Sequence, residues 1–223
     1  MNTKSNIRAQ VLLRRKSIAA TERHRKTTEV CQRLEKILET PFPSEILHKK
    51  GRKAFVSSPL DASSSSYLIA VYSAMGSELS LDPFIGAAYR CGMRLSFPCM
   101  IRTPCHTPCE RNLSMEFREV TQSDYEKGKV PFVVHPLRSY DANSAELQAF
   151  PRVSAQDIEV VIVPLVAFDE HKNRLGYGGG NYDRFLPHLA PGARTIGVAF
   201  SEQRVNHLPL EDHDRALDEI LFA

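Results

Sequence analysis

No stretch of this 223-residue sequence approaches the roughly 18 consecutive apolar residues that a membrane-crossing helix requires, and no short apolar run follows Met1 as an export signal would need. A membrane partner and secretion are therefore not expected. Neither sign of charge is in surplus. The 29 Lys and Arg face 26 Asp and Glu, and a formal charge of +3 is too small to draw nucleic acid or an acidic membrane by bulk attraction. Tryptophan is absent, and the five cysteines (Cys31, Cys91, Cys99, Cys105 and Cys109) include no Cys-x-x-Cys pair, the usual spacing of zinc and redox sites. They read as free thiols of a reducing compartment. Cys99, Cys105, His106 and Cys109 fall among Pro98, Pro104 and Pro108, and read as a stiff excursion rather than a ligand set.

What is present is unevenly placed. Between positions 1 and 26 lie Lys4, Arg8, Arg14, Arg15, Lys16, Arg23, Arg25 and Lys26 against the single acid Glu22, so one end of the chain suits an anionic ligand. A basic, acid-poor start also fits a mitochondrial transit peptide. Because the spacing of these residues serves a site, a cytoplasmic location is the expectation and a mitochondrial one the second reading.

Residues 5–39 contain neither Pro nor Gly, and Val30, Leu34, Ile37 and Leu38 repeat at helical spacing until Pro41 and Pro43 end the pattern. Ile7, Val11 and Ile18 form an earlier stripe, and hydroxyls between 17 and 21 offer a cap, so two helices joining near Ala20 are predicted. Strands are predicted at 67–72, 94–98, 113–120, 158–163 and 195–200, and helices at 82–90 and 182–189. The runs Leu68-Ile-Ala-Val71 and Val160-Val-Ile-Val163 are continuously apolar rather than alternating, as in parallel strands covered on both faces. The pattern predicts one α/β domain over 1–223, a three-layer sandwich with a central, mostly parallel sheet flanked by helices. Stretches 49–66 and 139–154 read as insertions.

The segment from Val160 to Arg184 carries the most chemistry. A buried strand leads into a loop with Gly176, Gly178, Gly179 and Gly180, Arg174 stands before the glycines, and Asp183 follows at the start of a predicted helix. Bare main chain there can approach phosphate oxygens, a guanidinium can hold them, and a carboxylate can share a magnesium ion with them. The loop lacks the Gly-Lys-Ser/Thr of a Walker A sequence, and Asn181 stands where Gly-x-Gly-x-x-Gly would place its last glycine.

The string Arg174-Leu-Gly-Tyr-Gly-Gly-Gly-Asn-Tyr-Asp-Arg-Phe-Leu186, preceded by Val163-Pro-Leu-Val-Ala-Phe-Asp169, resembles the signature of the 5-formyltetrahydrofolate cyclo-ligase family. Three more blocks agree in order: Lys4-Ser-Asn-Ile-Arg8 with Arg15; Tyr72-Ser-Ala-Met-Gly-Ser-Glu78-Leu; and Ile196-Gly-Val-Ala-Phe200 through Gln203, Pro209, Asp214 and Asp218.

The resemblance implies an enzyme that spends ATP, with Mg²⁺, to close 5-formyltetrahydrofolate into 5,10-methenyltetrahydrofolate. It implies phosphate contacts from Lys4, Arg8, Arg15, Arg174, the four glycines, Asn181 and Tyr182, with Arg174, Lys4 and Tyr182 nearest the chemistry. It implies magnesium at Asp183 and Asp214. The folate side is assigned Glu78, facing the pterin N–H groups, with Ser73, Tyr177 and Asn181. The family carries an aromatic residue where Asn181 stands, which leaves Tyr182 as the surviving ring; one stacking contact is worth about 0.5–1.5 kcal/mol, tenfold in affinity at most. A monomer acting on small molecules, without nucleic acid or membrane, is expected. Two other readings compete: a sugar-phosphate isomerase or CoA transferase on a related fold, and a folate-binding protein without turnover.

Overall fold

The computed structural model describes residues 3–39, 67–102, 113–211 and 214–223, so stretch 49–66, Cys105, His106 and Cys109 lie outside the described residues. Two helices open the chain, α1 (Lys4–Lys16) and α2 (Ala20–Glu39). Thr3 caps α1, its hydroxyl accepting the Asn6 N–H at 3.3 Å, and Ser17 ends it. Strand β1 (Leu68–Ala70), helix α3 (Asp82–Arg90), and strands β2 (Arg94–Arg102) and β3 (Leu113–Val120) follow. Short helices α4 (Gln122–Glu126) and α5 (Pro131–Val134) lead to β4 (Ser139–Asp141), β5 (Arg152–Val153) and β6 (Val160–Pro164). A hairpin, β7 (Ala167–Phe168) with β8 (Arg174–Leu175), precedes α6 (Asn181–Phe185), β9 (Arg194–Ala199) and β10 (Glu219–Phe222).

Among the described residues the main sheet has eight strands in the order β10-β9-β6-β1-β2-β3-β5, with β4 also paired to β2. The pairs from β10 through β2, and β2 with β4, are parallel; β3 pairs antiparallel with β2 and β5. Alternate residues of the apolar runs go to opposite faces. Ile69, Val160 and Ile162 pack with Val30 and Leu34 of α2 and with Phe84, Ile85 and Ala88 of α3. Leu68, Ala70, Val161 and Val163 pack on the other side, where Tyr182, Phe185, Leu186 and Leu189 cover them. Both faces are therefore apolar, and the three layers follow. A third cluster, Ile7, Val11, Val166, Ala167, Leu175 and Leu208, fastens α1 to the β7–β8 hairpin and to the C-terminal segment.

Three predicted elements change on inspection. Strand 94–98 runs on to Arg102, because Pro98 falls between the last β1 pairing, Ala70 with Ser96, and the first β4 pairing, Ser139 with Met100, so no neighbouring ladder on that edge asks for its missing N–H. Stretch 139–154 supplies β4 and β5 and so is bound into the sheet. The helix over 182–189 is the five-residue α6 followed by a 3-10 turn, Leu186–His188, containing Pro187.

Candidate active site

From β1 the chain moves outward to β2, whereas from β6 it moves the other way to β9, so the order in which strands are added reverses between the parallel β1 and β6. Loops leaving the carboxyl ends of two such strands splay apart and leave a crevice. Here the loop after β1 carries Met75 to Glu78, and the chain after β6 enters the β7–β8 hairpin and the glycine loop. Between them and α1 lies a cleft of about 1050 Å³. Lys4, Arg8, Arg15, Glu78, Arg174, Gly176, Tyr177, Gly178, Gly179, Gly180, Asn181, Tyr182, Asp183 and Asp214 all line it. Ser73 does not; its hydroxyl is buried and has no hydrogen-bond partner.

One wall is cationic. Lys4 and Arg8 stand one turn apart on the side of α1 that also carries the buried Ile7 and Val11, which seat that side against the site. Lys4 Nζ lies 2.7 Å from Asp214 and 3.3 Å from Glu211. Partial burial works against the ammonium charge, but the two carboxylates outweigh it and hold its pKa above the ordinary lysine value. Arg8 Nε donates to the Gly176 carbonyl at 2.8 Å. The Arg174 side chain is only 5% exposed and is fixed by Asp183 and, at 2.5 Å, by the Arg215 carbonyl. Burial lowers the Arg174 pKa, with Asp183 and Asp214 opposing the shift.

The glycine loop turns twice through left-handed backbone, at Gly178 (φ 94°) and Gly180 (φ 64°). Arg184 pins the second turn, donating to the Gly179 carbonyl at 3.0 Å and to Asn181 Oδ1 at 2.7 Å. Helix α6 is too short to carry a sizeable macrodipole, so anion attraction at this loop comes from Lys4, Arg8 and Arg174 rather than from a helix end.

The opposite wall holds Glu78, 6% exposed. One of its oxygens accepts the Met75 N–H at 2.7 Å, and the other is buried with no hydrogen-bond partner. Burial pushes this carboxyl above the usual range, against the Met75 N–H, the neighbouring Tyr177 hydroxyl and the Arg15 charge. The Tyr182 hydroxyl is a second buried, unpartnered group facing the same space, and burial followed by the Glu78 charge raises its pKa. Buried polar atoms are almost always satisfied, so two orphans in one cleft mark where a hydrogen-bonding ligand belongs.

Arg15 differs from its expected role. It is 2% exposed, and its guanidinium donates to the Ser77 hydroxyl at 3.0 Å and to the Tyr177 hydroxyl, strapping the Glu78 turn to the glycine loop. Arg23 reinforces the strap by donating to the Ser77 and Arg15 carbonyls, each at 2.6 Å, while stacking over Phe200. Ser77, Arg23 and Glu211 were not among the sequence-derived site residues. Arg23 carried only its place in the basic start of the chain, and Glu211 only its closeness in sequence to Asp214. Asn181 lines the cleft with its Oδ1 held by Arg184 and its amide nitrogen 3.8 Å from Met100 Sδ. Cys31 and Cys99 are free and buried, their thiols pushed up to about 11 by desolvation, and take no part.

A crevice at this point of the strand order is where open α/β proteins bind their ligands. A profile of the 5-formyltetrahydrofolate cyclo-ligase family matches residues 52–223. The 5-formyltetrahydrofolate cyclo-ligase of Escherichia coli K12 is 28% identical over 163 residues, covering 70% of this chain and 77% of that protein. Its counterpart from Haemophilus influenzae is 42% identical over 68 residues, 30% of this chain and 36% of that one. Among solved structures, a 5,10-methenyltetrahydrofolate synthetase from Mycoplasma pneumoniae shares the fold with a TM-score of 0.63 at 21% identity, covering 97% of this chain and 96% of that one. The Aquifex aeolicus 5,10-methenyltetrahydrofolate synthetase gives 0.58 at 22% identity, covering 100% and 90%. The chain belongs to the 5-formyltetrahydrofolate cyclo-ligase family.

Proposed function

We propose that this chain uses ATP to close 5-formyltetrahydrofolate into 5,10-methenyltetrahydrofolate, releasing ADP and phosphate. The observation that carries the reading is the pairing, across one cleft, of a buried carboxylate oxygen without a partner and a wall of fixed cations. A reduced pterin offers the amino and ring N–H donors that Glu78 lacks. A triphosphate offers the charge that Lys4, Arg8 and Arg174 are set to receive.

In the proposed reaction the formyl oxygen attacks the γ-phosphorus, and the bond to ADP breaks. N10 of the folate then attacks the activated carbon and loses its proton. The carbon–oxygen bond breaks, and phosphate leaves with the former formyl oxygen. The chain's task is placement and charge. Glu78 orients the pterin, Lys4 and Arg8 hold the phosphate chain against the glycines, and Arg174 faces the charge that spreads over the transferring group. A well-placed arginine contributes about 10³ to 10⁵ in rate in comparable phosphoryl transfers.

Asp183 and Asp214 fit a magnesium ion shared with the nucleotide. Among the described residues no three His, Cys, Asp or Glu side chains gather as a ligand set. Magnesium in nucleotide sites takes one or two carboxylates and completes its shell with phosphate oxygens and water. When bound, the ion would neutralise phosphate charge; Lys4 and Arg174 form ion pairs with Asp214 and Asp183 respectively. We also read the protein as a cytoplasmic monomer folded as one domain; among the described residues no helix is long and apolar enough to cross a membrane.

The test is to follow methenyl absorbance and ADP together with purified protein, 5-formyltetrahydrofolate, ATP and Mg²⁺. One ADP per methenyl product, and no product when nucleotide is omitted, is expected. Folate binding without turnover would support the non-catalytic reading instead.

A further inference from the structure

The nucleotide wall is made of three separate pieces of chain: α1 with Lys4 and Arg8, the hairpin with Arg174, and the segment after Leu208 with Glu211 and Asp214. Something must set their register. Asp169, at the end of β7, does not line the cleft and is 2% exposed, so it is neither ligand nor surface charge. Its carboxylate is saturated by four donors. One oxygen accepts the His171 N–H at 3.0 Å and the Asn173 N–H at 3.1 Å. The other accepts the Asn173 side-chain amide at 3.1 Å and the Leu208 N–H at 3.2 Å.

Two arms leave this point and meet again at the site. Asn173 is followed at once by Arg174, the buried cation. Leu208, 1% exposed, is seated in the apolar cluster with Ile7, Val11 and Leu175, and leads to Asp214. The arms rejoin where Arg174 donates to the Arg215 carbonyl and where Lys4 pairs with Asp214. The hairpin tip is tied to the same segment, since Leu217 N–H donates to the Lys172 carbonyl at 3.0 Å and Lys172 Nζ to the Asp218 carbonyl at 2.8 Å. Lys172 itself is held in left-handed backbone at φ 62°. The Glu78 turn shares none of these bonds; it is braced by Arg15 and Arg23, and its tie to the glycine loop runs through the Tyr177 hydroxyl rather than through Asp169.

We propose that Asp169 is a positioning residue: it fixes Arg174 relative to the segment bearing Asp214, and so sets the nucleotide side of the cleft without touching either substrate. The inference rests on the nucleotide reading of that wall. Because the Glu78 turn has its own braces in Arg15 and Arg23, the effect of losing Asp169 falls chiefly on the nucleotide side, a split that general destabilisation would not produce.

Asp169→Asn keeps the size but turns an acceptor oxygen into an N–H donor facing donors. In folded protein, judged by a circular dichroism spectrum matching the parent, kcat/KM for ATP should fall about 10²-fold, the scale of a small misplacement of catalytic groups. KM for 5-formyltetrahydrofolate should change less than about twofold. Calorimetric binding of ADP without folate should weaken in step, a readout independent of turnover. Asn173→Ala, which removes one of the four donors, should show the same split at up to about tenfold. Glu116→Gln, which breaks the ion pairs of Glu116 with Arg118 and Arg152 at the far edge of the sheet, serves as the destabilised control and should not split the substrates. Equal loss toward both substrates, or folded Asp169→Asn with parental ATP kinetics and ADP binding, overturns the proposal. If Asp169→Asn does not fold, unchanged ATP kinetics and ADP binding in Asn173→Ala overturn it. An inactive parent would count against the functional reading alone, since ADP binding still reports on Asp169.

Discussion

Replacing Glu78 with glutamine separates what this carboxylate does for the fold from what it does for the ligand. The Met75 N–H at 2.7 Å needs only an acceptor, which the amide oxygen supplies, so the turn should hold. The second oxygen, buried and unpartnered, becomes an N–H₂ that repels a pterin donor. At least one charge-assisted hydrogen bond is then lost, worth about 1.5–3 kcal/mol, or about 10- to 150-fold in affinity. Stability should move the other way. Burial, opposed by the Met75 N–H, Tyr177 and Arg15, raises the Glu78 pKa above the ordinary glutamate value of 4.5. The folded state therefore holds this proton more tightly than the unfolded one. The parent's stability from this group is fully present below pH 4.5 and is lost as pH rises through the folded value. Glu78→Gln should gain on the parent in melting temperature between acidic and neutral pH. Initial rates at saturating ATP, direct titration with 5-formyltetrahydrofolate and melts at several pH values read all three quantities. A raised KM for ATP with folate affinity intact, or a variant that loses ground to the parent as pH rises, would refute the reasoning.

Arg174→Ala should lower kcat about 10²- to 10³-fold with folate affinity retained, as removal of one donor to developing charge does elsewhere; unchanged kcat/KM would remove Arg174 from the chemistry. Lys4→Ala should raise KM for ATP about tenfold and leave the folate KM within about twofold, and equal loss of both would contradict the assignment. Asp214→Asn should raise the magnesium concentration needed for half-maximal rate, measured at fixed ATP, and an unchanged requirement would place the ion elsewhere. For Asp169, burial raises the pKa, but the hydrogen bonds from Asn173, Leu208 and His171 outweigh it and hold the carboxyl below 3.8. Its stabilisation should be present above that pH and lost below it, so the melting-temperature gap between parent and Asp169→Asn should narrow in acid.

The layers were legible because both-face burial writes itself as unbroken apolar runs, and β1 and β6 lie where Leu68 to Val71 and Val160 to Val163 placed them. The site was legible where chemistry and backbone coincide: Arg174, the glycines and Asp183 are contiguous, and Lys4 and Arg8 share a helix face. What escaped depends on contacts distant in sequence. Arg15 reads as one more cation on α1, and only the packing of Ser77 and Tyr177 around it turns it into a strap. Arg23 belongs to another helix and reaches the same turn through two carbonyls, which leave no mark in sequence. Pro98 reads as a strand end because the sequence cannot show that β1 stops and β4 starts on either side of it.

That the formyl oxygen and the γ-phosphate meet in this cleft is tested most directly with substrate carrying ¹⁸O in the formyl group. Mass analysis of the released phosphate should find the label there, one oxygen per turnover. Label appearing in water, with unlabelled phosphate, would mean that the oxygen is never phosphorylated.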